Sequence, residues 1–455
     1  MDVLRLLPYE PLDGQLRAIM ALSAFAVDHP FRGVFVLNGY AGTGKTSIMG
    51  ALIKAMHARE MPTVTLAPTG RAAKVASSFS ANPAQTIHKR IFRADSSTPD
   101  ARFFLAPNMD KNTLFIVDEA SLITDNPSHG QSLLMQLIKH VYSGVGCAMV
   151  LVGDTAQLPP IGQTDSPAMS RQRLFDLGLD PIMCTLDVPV RQAAESGILY
   201  NATIVRKMLS LVPCPLSLVP KLKLEGFPDI IKTDTGMLAD QLADSWAKVG
   251  PEETLLVTRS NARANKFNLA VRNTVMMADE PLQRGDRLVI SKNDYFWSKQ
   301  NKLDTFLANG DVAVVEWVGK TQKMYGRYFC EVELYIPADG SRLSAQLMLR
   351  SLMTEGPSIP RAEMERFYTH VVAEQEGDAI SKKIKGVMED PYYNALQAKY
   401  AYCVTCHKAQ GGQWKHVYID MGGIPADAMG PDFYRWLYTA MTRATQRLYL
   451  INYPF

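Results

Sequence analysis

The run Gly39-Tyr-Ala-Gly42-Thr43-Gly44-Lys45-Thr46 has the G-x-x-x-x-G-K-[ST] spacing of a loop that wraps phosphate. The glycines Gly39, Gly42 and Gly44 let backbone N–H groups approach phosphate oxygens, and Thr43 adds another N–H between them. The helix that follows contributes positive potential at its N-terminus. Lys45 has the reach for the β and γ phosphates of ATP, and Thr46 offers a hydroxyl to Mg²⁺. A pair of carboxylates, Asp118-Glu119, follows the apolar run Leu114-Phe-Ile-Val117. Asp118 is suited to hold Mg²⁺ through its water shell, and Glu119 to orient and deprotonate an attacking water.

These groups meet only if the elements before them end on one side of a sheet. Val34-Phe-Val-Leu37, Val64-Thr-Leu66, Leu114-Phe-Ile-Val117 and Ala148-Met-Val-Leu-Val152 read as strands buried on both faces, as a parallel sheet requires. Each ends in a polar motif, and in open α/β sheets ligands collect at the carboxyl ends of strands. Ahead of them, Leu12, Leu16, Ile19 and Met20 recur at helical spacing around Asp13. Similar runs return at Thr254-Leu-Leu-Val-Thr258, Val417-Tyr-Ile-Asp420 and Leu448-Tyr-Leu-Ile-Asn452, implying a second α/β domain split by an insertion. The insertion is β-patterned from about 281 to 350, with Asp311–Val318 and Tyr328–Ile336 as strands, and helical and charged from about 360 to 400. Pro213, Pro215, Pro220 and Pro228 mark a connector.

A chain of 455 residues with 47% hydrophobic, 20% charged and 9% aromatic residues has the composition of a soluble multidomain globular protein. Lys plus Arg exceed Asp plus Glu only by 48 to 45, so a polyanion has to bind in a local groove and not through an overall field. No apolar stretch has the length of a signal core or a bilayer span, so the reading is cytoplasmic, without a membrane partner. Six cysteines, at 147, 184, 214, 330, 403 and 406, are too sparse for a disulfide scaffold. Cys403-Val-Thr-Cys406-His407 has the C-x-x-C-H form of haem attachment, but without an export signal that reading is set aside.

Motif by motif, the chain resembles a superfamily-one DNA helicase of the B branch, which holds the RecD-like and Dda-like helicases. Gln15 stands where that family reads adenine, and Gly153-Asp-Thr-Ala-Gln157-Leu-Pro-Pro160 is similar to its third motif, whose glutamine senses the γ-phosphate. Val190-Arg191-Gln192 resembles the fourth motif, Thr405-Cys-His407-Lys408-Ala-Gln410-Gly411 the fifth and Tyr438-Thr-Ala-Met-Thr-Arg443 the sixth. The resemblance implies catalytic roles for Lys45, Glu119, Gln157, Arg191 and Arg443, and nucleotide contacts for Gln15 and Gly411. The two arginines also suit the chemistry, because phosphoryl transfer gains from a cation on the developing charge.

For nucleic acid, Ala67-Pro68-Thr69-Gly-Arg71 and Thr86-Ile-His88 resemble motifs that touch DNA phosphates, so Pro68, Thr69, Thr86 and His88 are candidates, with a purely structural histidine as the alternative. Thr258, Asn261 and Asn265 supply donors for phosphate or cap a helix, and His407 and Lys408 join them through the fifth motif. Between His88 and Asp118 the pattern strand, turn, strand falls where relatives carry a duplex-splitting pin. Phe103 or Phe104 at its tip either stacks on the junction base pair or packs the hairpin. Gly285–Ile290 and Phe306–Val312 resemble segments framing an SH3-like barrel, where Tyr295 and Trp297 either stack on bases or form core.

The fold implied is α/β: two RecA-like P-loop motor domains with a β-hairpin pin insertion and an SH3-like β insertion. The first motor takes residues 1–87 and 113–188 around a pin at 88–112; the second takes 189–278 and 401–455 around an insertion at 279–400. The function implied is an ATP- and Mg²⁺-dependent helicase, a monomer that moves 5′ to 3′ on single-stranded DNA, opens single-strand/duplex junctions, and serves replication or recombination proteins. The rivals are a DNA-stimulated ATPase that translocates without unwinding, and a RecD-like subunit that unwinds only with a partner.

Overall fold

The uninterrupted Val, Leu, Ile and Phe runs form strands with helices on both faces. The structure, a computed structural model, describes residues 3–79, 83–94, 103–126, 132–190, 195–211, 213–303, 306–376, 379–425 and 428–454. It divides into two compact units, one of Met1–Arg93, Leu105–Asp234 and Ala409–Phe455, the other of Ala94–Phe104 and Thr235–Lys408.

The first unit is built on a six-stranded sheet whose neighbouring strands run parallel, in the order Gln85–Thr86, Thr63–Ala67, Leu114–Val117, Ala148–Gly153, Gly33–Gly39, Asp180–Leu186. Alternate residues go to opposite faces. Phe35, Leu37, Ile116, Val150 and Val152 pack under helices Asp13–Val27 and Lys45–His57 through Ile19, Leu22, Phe25, Ile48, Leu52 and Ile53. Val34, Val36, Phe115, Val117, Met149 and Leu151 pack on the other side against Leu134, Leu137, Ile138 and Val141 of helix Leu133–Ser143. Neighbouring strands are aligned in register, Val34 beside Met149 and Val64 beside Phe115, so the loops after their carboxyl ends open on one edge.

The same unit holds three further parallel strands, Trp414–Asp420, Ala444–Ile451 and Ile230–Thr233. Helix Pro431–Met441 is buried along most of its length, from Phe433 to Met441, and packs on helix Gly197–Ser210. Residues 189–234 and 409–455, expected above as parts of the second motor, thus share a unit with the phosphate loop. The proline-marked stretch is a connector: no helix or strand occurs among described residues 213–229.

In the second unit, strand Thr254–Thr258 pairs in parallel with Cys403–Thr405. A separate five-stranded antiparallel sheet runs Ser341–Met348, Arg327–Ile336, Val312–Met324, Arg287–Ile290, Ala398–Tyr400. The charged stretch forms helices Arg361–Glu374 and Ile380–Glu389. They are not a free appendage, because Phe367, Val371 and Val387 share a core with Phe329, Met348 and Ala395 of the sheet region.

Candidate nucleotide site and candidate nucleic-acid surfaces

Strand Gly33–Gly39 ends in the phosphate loop, and helix Lys45–His57 begins immediately after Gly44. Gly42 and Gly44 have φ of 74° and 86°, a region that side chains rarely adopt. At Gly44 space is a second constraint: a Cβ there would lie 2.3 Å from the Tyr9 hydroxyl and 2.7 Å from Gln15 Nε2. Thr43 is fully buried, its hydroxyl donating to the Tyr40 carbonyl at 2.8 Å, so its side chain shapes the loop. The Lys45 ammonium donates to the carbonyls of Gly39 and Tyr40. Thr46 is exposed at the start of the helix. Gln15, 2% exposed, accepts from the Leu12 N–H at 2.9 Å and donates to the Thr43 carbonyl at 2.8 Å, tying the N-terminal helix to the loop.

Asp118 and Glu119 follow strand Leu114–Val117. Burial pushes the Asp118 carboxyl up to about 7, with the Glu119 charge adding to the rise; the Glu119 N–H and the Lys45 charge act against it. That N–H donates to Asp118 Oδ1 at 2.9 Å and holds Glu119 at a φ of 51°. For a residue with a side chain this conformation costs about 1–2 kcal/mol, which the bond to Asp118 offsets. The hard oxygen donors Asp118 and Thr46, flanking Lys45, fit the chemistry of a nucleotide-bound Mg²⁺.

After strand Ala148–Gly153, Asp154 is 1% exposed and Gln157 5%. Asp154 Oδ1 accepts from the Ala156 N–H at 2.9 Å, and Oδ2 from the Tyr438 hydroxyl at 2.6 Å. Gln157 donates its backbone N–H to the Asp154 carbonyl at 3.3 Å, while its side-chain Oε1 is buried without a hydrogen-bond partner. Tyr438 also accepts from the Ala41 N–H of the phosphate loop at 2.8 Å. Burial, and next the Asp154 charge, drive its phenol far above the usual range. Its neighbour Thr439 accepts from the Leu158 N–H at 2.8 Å, and Gln410 donates to the Leu158 carbonyl at 2.7 Å.

Arg443 is 3% exposed and donates to the carbonyls of Thr439 and Gly412 at 3.0 and 3.2 Å and to the Thr442 hydroxyl at 3.2 Å. Arg191 lies outside the described residues, but the Val190 N–H donates to the Gly42 carbonyl at 2.9 Å. Gly411, with φ of 72°, lies against the start of helix Gly70–Ser77, where a Cβ would come within 2.9 Å of Ala72 and 3.1 Å of Thr69. Beside it Arg71 stacks on Trp414 at 3.8 Å and donates to the Gln413 carbonyl at 2.8 Å. Sequence reasoning missed Tyr438 as a bonding group, together with Arg206, whose guanidinium lies 4.0 Å from the Tyr40 ring centre. The signal for Tyr438 was present: a phenol among apolar helix residues needs partners once buried.

Thr69 and Thr86 cap the helices Gly70–Ser77 and Ile87–Ile91, accepting from the N–H groups of Ala72 and Lys89 at 3.2 Å each, with Pro68 just before the first. His88 stacks at a tilt on Phe92, and burial lowers its pKa, so it is neutral near pH 7. Phe103 and Phe104 belong to the short strand Phe103–Leu105, and Phe104 is 51% exposed. The turn expected at 96–100 lies outside the described residues.

In the second unit Thr258 is fully buried and donates to the Ser260 carbonyl at 3.2 Å. Asn261 opens the helix that Ser260 caps. Asn265 donates to the carbonyls of Met353 and Thr354 at 3.2 and 3.0 Å. Asn268 grips Tyr400 and Cys403 through three bonds of 2.7 to 3.2 Å. His407 is exposed. The Lys408 ammonium is buried without a hydrogen-bond partner, and burial lowers its pKa. It borders a cavity of about 10 Å³ with Asn261, Asn265, Thr405 and Lys399, whose own ammonium burial pushes down to about 8. Trp297 donates its indole N–H to the Asn394 carbonyl at 2.9 Å, and Tyr295 packs on Phe306. Among the described residues no cluster of three metal-binding side chains occurs, and no helix is long and apolar enough to cross a membrane.

Comparison with known proteins matches residues 13–183 to an AAA domain and residues 400–451 to a UvrD-like helicase C-terminal domain. A Pif1 ATP-dependent DNA helicase of Psychrobacter is 28% identical over 180 residues, 35% of this chain and 25% of that protein. A RecD2 ATP-dependent DNA helicase of Deinococcus radiodurans is 31% identical over 126 residues, 28% of this chain and 16% of that protein. Over those segments the chain is similar to the Pif1 and RecD2 helicases. The match spans only a quarter or less of those two proteins, whereas protein R530 of Acanthamoeba polyphaga mimivirus aligns at 22% identity over 91% of this chain and 94% of its own length. A crystal structure of a Bacteroides Pif1 with ADP-AlF3 and single-stranded DNA is similar with a TM-score of 0.49 at 16% identity, covering 97% of this chain and 92% of that one.

Proposed function

We propose that the chain is an ATP-driven DNA helicase. The observation that carries this reading is the convergence, within one compact unit, of the phosphate loop, the Asp118-Glu119 pair, the Asp154–Gln157 turn and the helix ending before Arg443. A kinase built on a phosphate loop needs neither of the last two, and they fall in the segments similar to an AAA domain and to a UvrD-like helicase C-terminal domain.

In this reading Lys45 exchanges its bonds to the Gly39 and Tyr40 carbonyls for the β and γ phosphates of ATP. Asp118 and Thr46 hold Mg²⁺, which supplies charge neutralisation on those phosphates. Glu119, fixed at its unusual φ, takes the proton of the attacking water. Gln157 has an unpartnered amide oxygen that accepts a hydrogen bond from that water, while its amide N–H₂ is the group able to donate to the γ-phosphate. Arg443, already anchored by three bonds, and Arg191, which follows a residue bonded to the loop, stabilise the developing negative charge. Single-stranded DNA contacts Pro68, Thr69, Thr86 and His88 in the first unit, and Asn261, His407 and Lys408 in the second; Thr258 and Asn265, expected above as contacts, are instead buried on the carbonyls of Ser260, Met353 and Thr354. Phe103 and Phe104 act at the junction with duplex. Translocation is 5′ to 3′, by the family resemblance.

The test is unwinding of two matched duplexes, one with a 5′ and one with a 3′ single-stranded tail, with Mg²⁺ and ATP beside a Lys45→Ala control. Opening of the 5′-tailed duplex alone, lost in the control, is the expected result. DNA-stimulated ATPase without unwinding would replace the helicase reading by a translocase or a partner-dependent subunit. Absence of ATPase would remove the motor reading altogether.

A further inference from the structure

One hydroxyl in the first unit joins three segments far apart in sequence. Tyr438 accepts from the Ala41 N–H at 2.8 Å and donates to Asp154 Oδ2 at 2.6 Å, while its own helix, Pro431–Met441, leads directly to Arg443. The other oxygen of Asp154 and its carbonyl close the turn that carries Gln157. The far end of this turn, at Leu158, is held by Thr439 of the same helix and by Gln410. A tyrosine 1% exposed needs partners for its hydroxyl, but packing alone does not select these two. A backbone N–H of a phosphate loop is ordinarily free to face phosphate; at Ala41 it is committed to Tyr438.

We propose that Tyr438 is a positioning residue for ATP hydrolysis: its hydroxyl locks the phosphate loop and the Gln157 turn to the helix that carries Arg443. The proposal rests on the ATPase reading above. Movement of that helix would then shift Gln157 and the loop at Ala41 together, so the geometry of the attacking water depends on a residue that does not touch it. The ground-state grip on ATP, made by Lys45 and the remaining loop N–H groups, does not depend on this hydroxyl.

The test is steady-state ATPase of the full chain with Mg²⁺ and a single-stranded oligonucleotide. Tyr438→Phe keeps the ring and removes the clamp. It is expected to lower kcat by about 10- to 100-fold, as for loss of a hydrogen bond to a charged group, with the KM for ATP changed less than about threefold. Asp154→Asn tests the same link from the other side and leaves the helix packing untouched, so it decides the matter should the phenylalanine variant fail to fold. Because Tyr438→Phe already removes the bond to Asp154 together with that to Ala41, the double variant is expected to be no slower than the slower single variant. An unchanged kcat in the folded variants, a change confined to KM, or multiplied losses in the double variant would overturn the proposal, and a lowered thermal midpoint with kcat intact would make Tyr438 a packing residue. Wild-type activity no higher than that of Lys45→Ala is a separate outcome, which removes the ATPase reading itself and this proposal with it.

Discussion

After strand Gly33–Gly39 the chain turns through Gly42 and Gly44 at positive φ and enters a helix with Thr46 exposed. After strand Thr254–Thr258 it enters a helix capped by Ser260, with Asn265 and Asn268 buried on loop carbonyls. Both junctions are parallel-strand ends followed by a helix, and both are rich in hydroxyl, amide and cationic side chains. In the first, Lys45 and Thr43 bond to carbonyls of the very loop they belong to, and Thr46 stays at the surface. In the second, the backbone of a long insertion needs partners, and the asparagines supply them. The lesson is that donor-rich residues after a strand identify a site where their bonds stay within the loop that would receive the ligand, and not where backbone distant in sequence claims them.

The comparison breaks most sharply at Lys45. Its replacement by alanine is expected to reduce ATP turnover by about 10²–10³-fold, read by phosphate release, with the thermal midpoint nearly unchanged. A variant that keeps most of its turnover would show that the first junction is no more a phosphate site than the second. Next is Asn268→Ala, which leaves two carbonyls and an N–H buried without partners and is expected to cost about 2–4 kcal/mol of stability in urea unfolding. A loss below about 0.5 kcal/mol would return Asn268 to the pool of available DNA contacts. Phe104→Ala is expected to slow unwinding by about tenfold, from stacking worth about 1–3 kcal/mol per base, while ATPase stays within twofold; equal retention of both activities would make Phe104 a packing residue. The smallest effect is that of Arg71→Ala, which removes the stack on Trp414 and should cost about 1 kcal/mol, measured as a shift in thermal midpoint.

Legibility in the sequence follows the range of the interactions involved. The expected strands at 34–37, 64–66, 114–117 and 148–152 all appear, because double-faced burial writes an apolar run that needs no knowledge of partners. The phosphate loop and the Asp118-Glu119 pair are likewise local. The bond from Tyr438 to Asp154 spans 284 residues, and no periodicity announces it. Nor does spacing reveal that Asn265 faces Thr354 and not solvent, since the choice depends on a loop that the insertion brings to it. Helices Arg361–Glu374 and Ile380–Glu389 were legible as helices, but their membership of the antiparallel sheet's core rests on scattered aromatics such as Phe329 and Phe367.

The antiparallel sheet of the second unit begins and ends on the same ladder, for Arg287–Ile290 pairs with Ala398–Tyr400. During synthesis its first strand therefore leaves the ribosome roughly a hundred residues before that partner exists, a delay of about 5–20 s at ordinary elongation rates. Through that interval Leu288 and Ile290, both fully buried once folded, lack one of their neighbouring strands. The timing of translation across this segment, as well as its chemistry, thus bears on how much of the chain reaches the folded state.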